Sequence, residues 1–105
     1  MTTWRVDIAW ADSARKVEIV YEIAREISVP APPMSTGSTE PRAIFRLVND
    51  RLGLGIDDRL GKPDLARRIV ESSGEVWHPD YESRGATVTK PGLIAVLEAV
   101  RFFVR

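Results

Sequence analysis

One histidine stands in the 105-residue chain, His78, two positions before Asp80 and close to Tyr81 and Glu82. An imidazole beside a carboxylate is the minimum for general-base work near neutral pH, or for a weak metal site. No second histidine, no serine elbow and no cysteine accompany it. Nucleophilic triads, thiol chemistry and a zinc-type ligand set therefore lack their parts, and His78 reads first as an ordinary hairpin residue, with Asp80 the only partner to test for chemistry. Gly53-Leu54-Gly55 opens like a dinucleotide-binding loop, but Asp58 holds the third glycine position and no strand precedes it, so a phosphate would meet carboxylates. From Gly55 to Gly61-Lys62 the spacing is one residue too long for a phosphate loop, and Pro63 stands where magnesium needs a hydroxyl. Pro63-Asp64 and Pro79-Asp80 invite comparison with metal-dependent nucleases, whose second acid lies two residues before a lysine. Ahead of Lys90 that position is Val88, which cannot ligate magnesium. The expectation is a non-enzyme with no cofactor and no metal site.

A second constellation is basic and polar. Lys62, Arg67, Arg68, Arg84, Thr87, Thr89 and Lys90 form a candidate DNA-binding set. In it Arg67 and Arg68 would point toward a groove, while Lys62, Arg84 and Lys90 contact phosphates. Gly85 beside Arg84 would let a hairpin tip approach a backbone closely. The plainer reading makes Arg67 and Arg68 the solvated face opposite Ile69 and Val70. Fifteen Lys and Arg balance fifteen Asp and Glu over the whole chain. Residues 51–105 carry nine basic against eight acidic residues. That balance weighs against strong non-specific DNA binding by this domain alone; what survives is reading of a modified or specific site with few phosphate contacts, or work as a dimer or tethered to a catalytic domain. Trp77 near Tyr81 could stack a base or form a cage, though Trp4, Trp10 and Trp77 read more simply as core anchors.

The elements that must position these residues follow from periodicity. Trp4 to Trp10 alternates in the manner of a half-buried strand, or forms a first helical turn capped by Thr3. Asp12 is a good N-cap, and Val17, Val20, Tyr21, Ala24 and Ile27 recur at helical spacing, predicting a helix over Ser13–Ile27. Pro30, Pro32, Pro33 and Gly37 make residues 28–39 a Pro/Ser/Thr-rich internal loop, read as a spacer between helices rather than a docking segment. Thr39-Glu40-Pro41 starts a helix that runs to Leu52, before Gly53. Gly61-Lys62-Pro63-Asp64 starts another over Pro63–Ser73, before Gly74. Glu75-Val76-Trp77 and Ala86-Thr87-Val88 are β-prone pieces of a small hairpin. Thr89-Lys90-Pro91 opens a last helix whose wide apolar face, from Leu93 to Phe103, places it at the centre of the core.

Residues 1–105 thus read as a single domain, mainly α with a small β-hairpin, winged helix-turn-helix-like, with about four helices. The connection from Leu52 to Pro63, roughly ten residues, is long for a helix-turn-helix. The run Lys62 to Gly74, then Trp77, then Ser83-Arg84-Gly85-Ala86-Thr87-Val88-Thr89, then Gly92-Leu93, resembles small helical, winged-helix-like accessory domains that accompany bacterial restriction-type endonucleases and other defence proteins. The resemblance spans about residues 40 to 103. It implies a DNA-recognition module without a nuclease centre of its own. The rival reading is a protein-interaction or homodimerisation module, in which a partner covers the apolar excess of the last helix at Phe102, Phe103 and Val104. No apolar run approaches ~18 residues and no basic stretch leads into an apolar one at the start, so a cytoplasmic chain without a membrane span is expected.

Overall fold

Asp7 decides the first element. Its side chain accepts hydrogen bonds from the backbone N–H groups of Ala9 (2.8 Å) and Trp10 (3.2 Å), the capping geometry that starts a helix. In the structure, a computed structural model that describes residues 5–30, 42–84 and 87–104, helix α1 accordingly spans Ile8–Ser13, so that of the two alternatives, strand or helical turn, the helical one is met, with Asp7 as its cap. Alternation alone makes no strand without an edge to join, and among the described residues the only two strands pair with each other. The expected Thr3 cap and Trp4 lie outside the described residues. Asp12 therefore sits inside α1 and is not a cap for the next helix.

Helix α2 spans Lys16–Glu26, starting later than expected because the chain breaks into extended backbone at Ala14 and Arg15. The Glu18 carboxylate reaches back to the N–H of Arg15 (3.0 Å), half of a capping box. Helix α3 spans Arg42–Leu52; Thr39, Glu40 and Pro41, its expected start, and residues 31–39 of the loop lie outside the described residues. It ends as glycine permits: Gly53 takes φ +62°, its N–H bonds to Asp50, and the N–H of Leu54 bonds to Asn49. Helix α4 spans Lys62–Ser72, with Pro63 in its first turn and Gly74 at φ +90° beyond its end.

The hairpin differs in register from the expectation. Glu75 to His78 forms no strand. A 3₁₀ turn at Pro79–Tyr81 comes first, and then β1 (Glu82–Ser83) pairs antiparallel with β2 (Thr87–Val88), Glu82 opposite Val88 and Ser83 opposite Thr87. Pro79 brings no donor to a ladder, and the turn is fastened elsewhere: the Thr89 N–H donates to the Tyr81 carbonyl (2.9 Å) and the Thr89 hydroxyl to that of Asp80 (2.6 Å). Helix α5 then spans Lys90–Val104.

As expected from its wide apolar face, α5 is central, packing on α2, α4 and the 3₁₀ turn, while α3 packs on α4 and α2. Ile19, Val20 and Ile23 meet Ile44, Phe45 and Val48, Leu65 and Ile69, and Leu93, Val96, Leu97 and Val100 in one core with Val88. The architecture is mainly helical with a small hairpin, with five α-helices among the described residues where about four were expected. Among the described residues no helix is long and apolar enough to cross a membrane.

Candidate functional site

The seven candidate DNA contacts are spread over α4, the hairpin and the start of α5. On α4, Pro63, Leu65, Ala66, Ile69 and Val70 are buried, which leaves Asp64, Arg68, Glu71 and Ser72 outward: two acids, one base and a hydroxyl. Lys62, at the start of α4, is half-buried. Arg67 is half-withdrawn as well; its Nε is buried without an acceptor and a terminal nitrogen stands 4.0 Å from Asp64. Arg68 is exposed and borders a cleft of about 380 Å³ with Ile56, Asp57 and Ser72. The Asp57 carboxylate in that cleft is already held by Arg59 (3.1 Å), whose hydrogen bonds keep it below the usual carboxylate range. Thr87 is half-buried on β2, opposite Ser83.

Two further candidates are engaged within the fold. Besides bonding the 3₁₀ turn, the Thr89 hydroxyl accepts from the N–H of Gly92 (3.4 Å), so it serves the start of α5. The Lys90 ammonium donates to the Asp12 carbonyl (3.0 Å) and borders a different cleft, about 360 Å³, with Tyr81, Ile94 and Glu98. Burial pushes the Tyr81 phenol up from its ordinary value, reinforced by the Glu98 and Glu75 carboxylates. Glu98 itself accepts from the Val6 N–H (3.0 Å) and pairs with Arg5 (3.6 Å). Arg84 alone among the seven combines exposure with backbone strain: it occupies the hairpin turn at φ +56°, and no hydrogen bond or ion pair holds its guanidinium among the described residues. Gly85, expected to open the hairpin tip, lies outside the described residues, as does Ala86.

The aromatic and histidine candidates stack on one another. Trp77 meets Tyr81 edge-to-face at 5.1 Å and His78 meets Tyr81 likewise at 5.2 Å. The indole N–H of Trp77 donates to Glu82 (2.6 Å). Edge-on rings leave no parallel slot for a base, and Trp77 is packed against the core as an anchor. Among the described residues no hydrogen bond joins His78 to Asp80, and no three acids or histidines gather as a metal-ligand group.

The C-terminal end of α5 is different in kind. Its buried stripe runs through Leu93, Val96, Leu97 and Val100. Phe103 lies seven residues beyond Val96 and Val104 seven beyond Leu97, two turns along the same face. Yet Phe102, Phe103 and Val104 are 44%, 37% and 40% exposed. The core stripe has run past its partners. Phe102 and Phe103 stand edge-to-face at 5.5 Å, and Phe102 borders a small recess, about 40 Å³, with Arg5, Ser73 and Glu75. Val76, next along the chain, is the most exposed apolar side chain of this neighbourhood.

Compared with protein-family models, with curated protein sequences and with solved structures, the chain matches none. Its site is thus argued from geometry. Phe102, Phe103 and Val104 were legible in the sequence as an apolar excess. Arg5 and Glu75 were not, because only the approach of the N-terminal segment and the segment after α4 to α5 brings them to the recess beside Phe102.

Proposed function

We propose that the chain is a non-catalytic protein-interaction module whose contact surface is the C-terminal end of α5. The observation that carries this reading is the run of large apolar side chains left exposed at the end of α5: Phe103 and Val104 continue the core stripe into solvent, and Phe102, off that stripe, sets its ring against Phe103. Exposed aromatic pairs of this kind are the residues that anchor protein interfaces, since each removes a large apolar area from water with few rotors to freeze. A photo-crosslinking benzoylphenylalanine placed at position 103 in the full chain, expressed in bacterial cells and irradiated, tests it. A covalent adduct to any protein, lost in the same chain with Val104→Asp, is the expected result. Absence of any adduct overturns the reading.

A second reading is DNA recognition, favoured by Arg84. An arginine at φ +56° carries a backbone cost of about 1–2 kcal/mol that glycine would avoid. Such strain at an exposed, unpaired cation is the pattern of a residue kept for contact. The order helix, helix, hairpin, helix from α3 to α5 is compatible with a winged helix in which α4 reads a groove and the hairpin is the wing. The resemblance to accessory domains of restriction-type endonucleases would make the tethered partner a catalytic unit and the target a modified or specific DNA site. The mixed charge of the outer face of α4 weighs the other way. Fluorescence anisotropy with modified and unmodified duplexes at two salt concentrations separates the readings: saturable, salt-sensitive binding lost on Arg68→Ala/Arg84→Ala supports the DNA reader, and no binding at low salt removes it.

A further inference from the structure

We infer that the cleft between α1, the 3₁₀ turn and α5 binds a small primary amine, its ammonium bonded to Glu98 and its apolar body resting on Ile94 and Ala95. The cleft holds about 360 Å³, and none of Phe102, Phe103 and Val104 lines it. That volume is at the small end of the ~300–1,000 Å³ typical of ligand sites. Its floor accounts for apolar surface of α5 that the core leaves over. Leu93, Val96, Leu97 and Val100 are buried in the core, whereas Ile94 and Ala95 are only half-buried and line the cleft together with Pro91. The polar groups around that floor select the charge of the occupant. Asp12 and Glu98 bring two carboxylates against the single ammonium of Lys90. Lys90 stands eight residues before Glu98, about 12 Å along the helix, and it already donates to the Asp12 carbonyl (3.0 Å). At the other end Glu98 is 22% exposed and only half satisfied. Its Oε2 accepts from the Val6 N–H (3.0 Å), while Oε1 receives no hydrogen bond among the described residues: Arg5 stands 3.6 Å from it and gives its own bond to Glu75 (3.4 Å). Tyr81 lines the same cleft, and its hydroxyl makes no hydrogen bond among the described residues. Burial, with the Glu98 carboxylate adding to it, pushes that phenol up, so it stays neutral beside the amine. An acceptor in a partly dry wall is completed by a ligand N–H, and an ammonium supplies the hydrogen bond and the opposite charge together. A carboxylate or phosphate ligand would meet the same oxygen with repulsion.

The test titrates the full ¹⁵N-labelled chain at neutral pH with hexylamine, which is protonated there, and with hexanol and hexanoate, which carry the same alkyl chain on a neutral and an anionic head. The expected result is saturable amide shifts centred on residues 11–12, 81 and 92–98, with a dissociation constant for hexylamine of about 1–10 mM, in keeping with so few heavy atoms. Hexanol and hexanoate should each bind at least about fivefold more weakly. Glu98→Gln, whose amide oxygen still accepts from Val6, should weaken hexylamine at least about fivefold and leave hexanol unchanged. Arg5→Gln removes the competing cation and should tighten hexylamine about two- to threefold. Ala95→Leu, which fills the floor, should abolish binding of both, and it carries the test should Glu98→Gln fail to fold; circular dichroism checks each variant. Equal binding of hexanol and hexylamine, tighter binding of hexanoate, or shifts centred instead on Phe102 and Phe103 overturns the amine site. So does the absence of saturable shifts up to about 50 mM hexylamine.

Discussion

Gly92 shows how a single atom governs the packing of the hairpin region on α5. A Cβ there would collide with the Tyr81 carbonyl oxygen and come within 2.8 Å of Val88, because the 3₁₀ turn crosses α5 at that point. Gly92→Ala is expected to cost at least about 2 kcal/mol and to shift the hairpin, read by urea unfolding and by the chemical shifts of residues 79–88. Ser28 is the reverse case. It follows the last turn of α2 at φ +58°, with the Ser28 and Val29 N–H groups bonded back to Arg25 and Ala24. Glycine belongs at this position, so Ser28→Gly should stabilise the fold by up to about 1 kcal/mol in the same assay. Glu18 supplies the pH dependence. The Arg15 backbone N–H and then its guanidinium hold the Glu18 carboxyl below its usual 4.5. Because the folded value is depressed, the contribution is present above pH 4.5 and is lost as pH falls through the folded value. Side-chain NMR titration should find Glu18 below its ordinary range, and the protection of amides at the start of α2, relative to their intrinsic exchange at each pH, should fall on acidification but not in Glu18→Gln.

At the scale of elements, connections matter as much as helices. The α3–α4 connection, residues 53–61, is too long to be held by turn geometry alone, and Asn49 ties it down. The Asn49 side-chain amide donates to the Ile56 carbonyl (2.7 Å), and its oxygen accepts from the Ile56 N–H (2.9 Å). Arg46 adds a bond to the Asp58 carbonyl (3.2 Å). Asn49→Ala strands both backbone groups of Ile56 and should cost about 1–3 kcal/mol, with faster amide exchange confined first to residues 54–60. Nothing about Asn49 stands out in the sequence, since an asparagine near a helix end has many uses. Gly53 and Gly74 were legible as stops because their left-handed backbone is a local requirement. The start of α2 was not, since Asp12 and Asp7 are both capable caps and only the folded chain shows which one has the turn in front of it.

For the molecule as a whole, α5 is the spine that ties the N-terminal half to the hairpin. Arg101 joins it to α2 through Glu26 (2.8 Å) and Glu22 (3.5 Å), and the Arg101 and Glu26 side chains are only 15% and 12% exposed. Removing the cation takes one bonded partner from each of two neighbouring carboxylates in a partly dry site. Arg101→Met should therefore destabilise by about 1–3 kcal/mol in urea unfolding, more than any fully exposed pair such as Arg15–Glu18 can contribute. At the hairpin end, the Lys16 ammonium reaches the Val88 carbonyl (3.1 Å) and fixes the other end of α2 against β2. Along one helix, then, both ends are clamped by cations that composition alone would assign to solvent or to a ligand.

By itself the sequence determined the helical segments from 42 onward, their glycine stops, the central role of the last helix and the apolar surplus at its end, because each depends on residues within a few turns of one another. Tertiary structure decided the rest. Whether Lys90 and Thr89 face a ligand or fasten a turn depends on Asp12, Asp80 and Gly92 meeting them across the fold. Whether the alternating stretch that ends at Trp10 makes a strand or a helical turn depends on an edge that only assembly could supply, and whether Phe103 is buried depends on how far the neighbouring helices extend alongside α5. Local pattern records what a residue prefers, and the approach of distant segments settles which preferences are met.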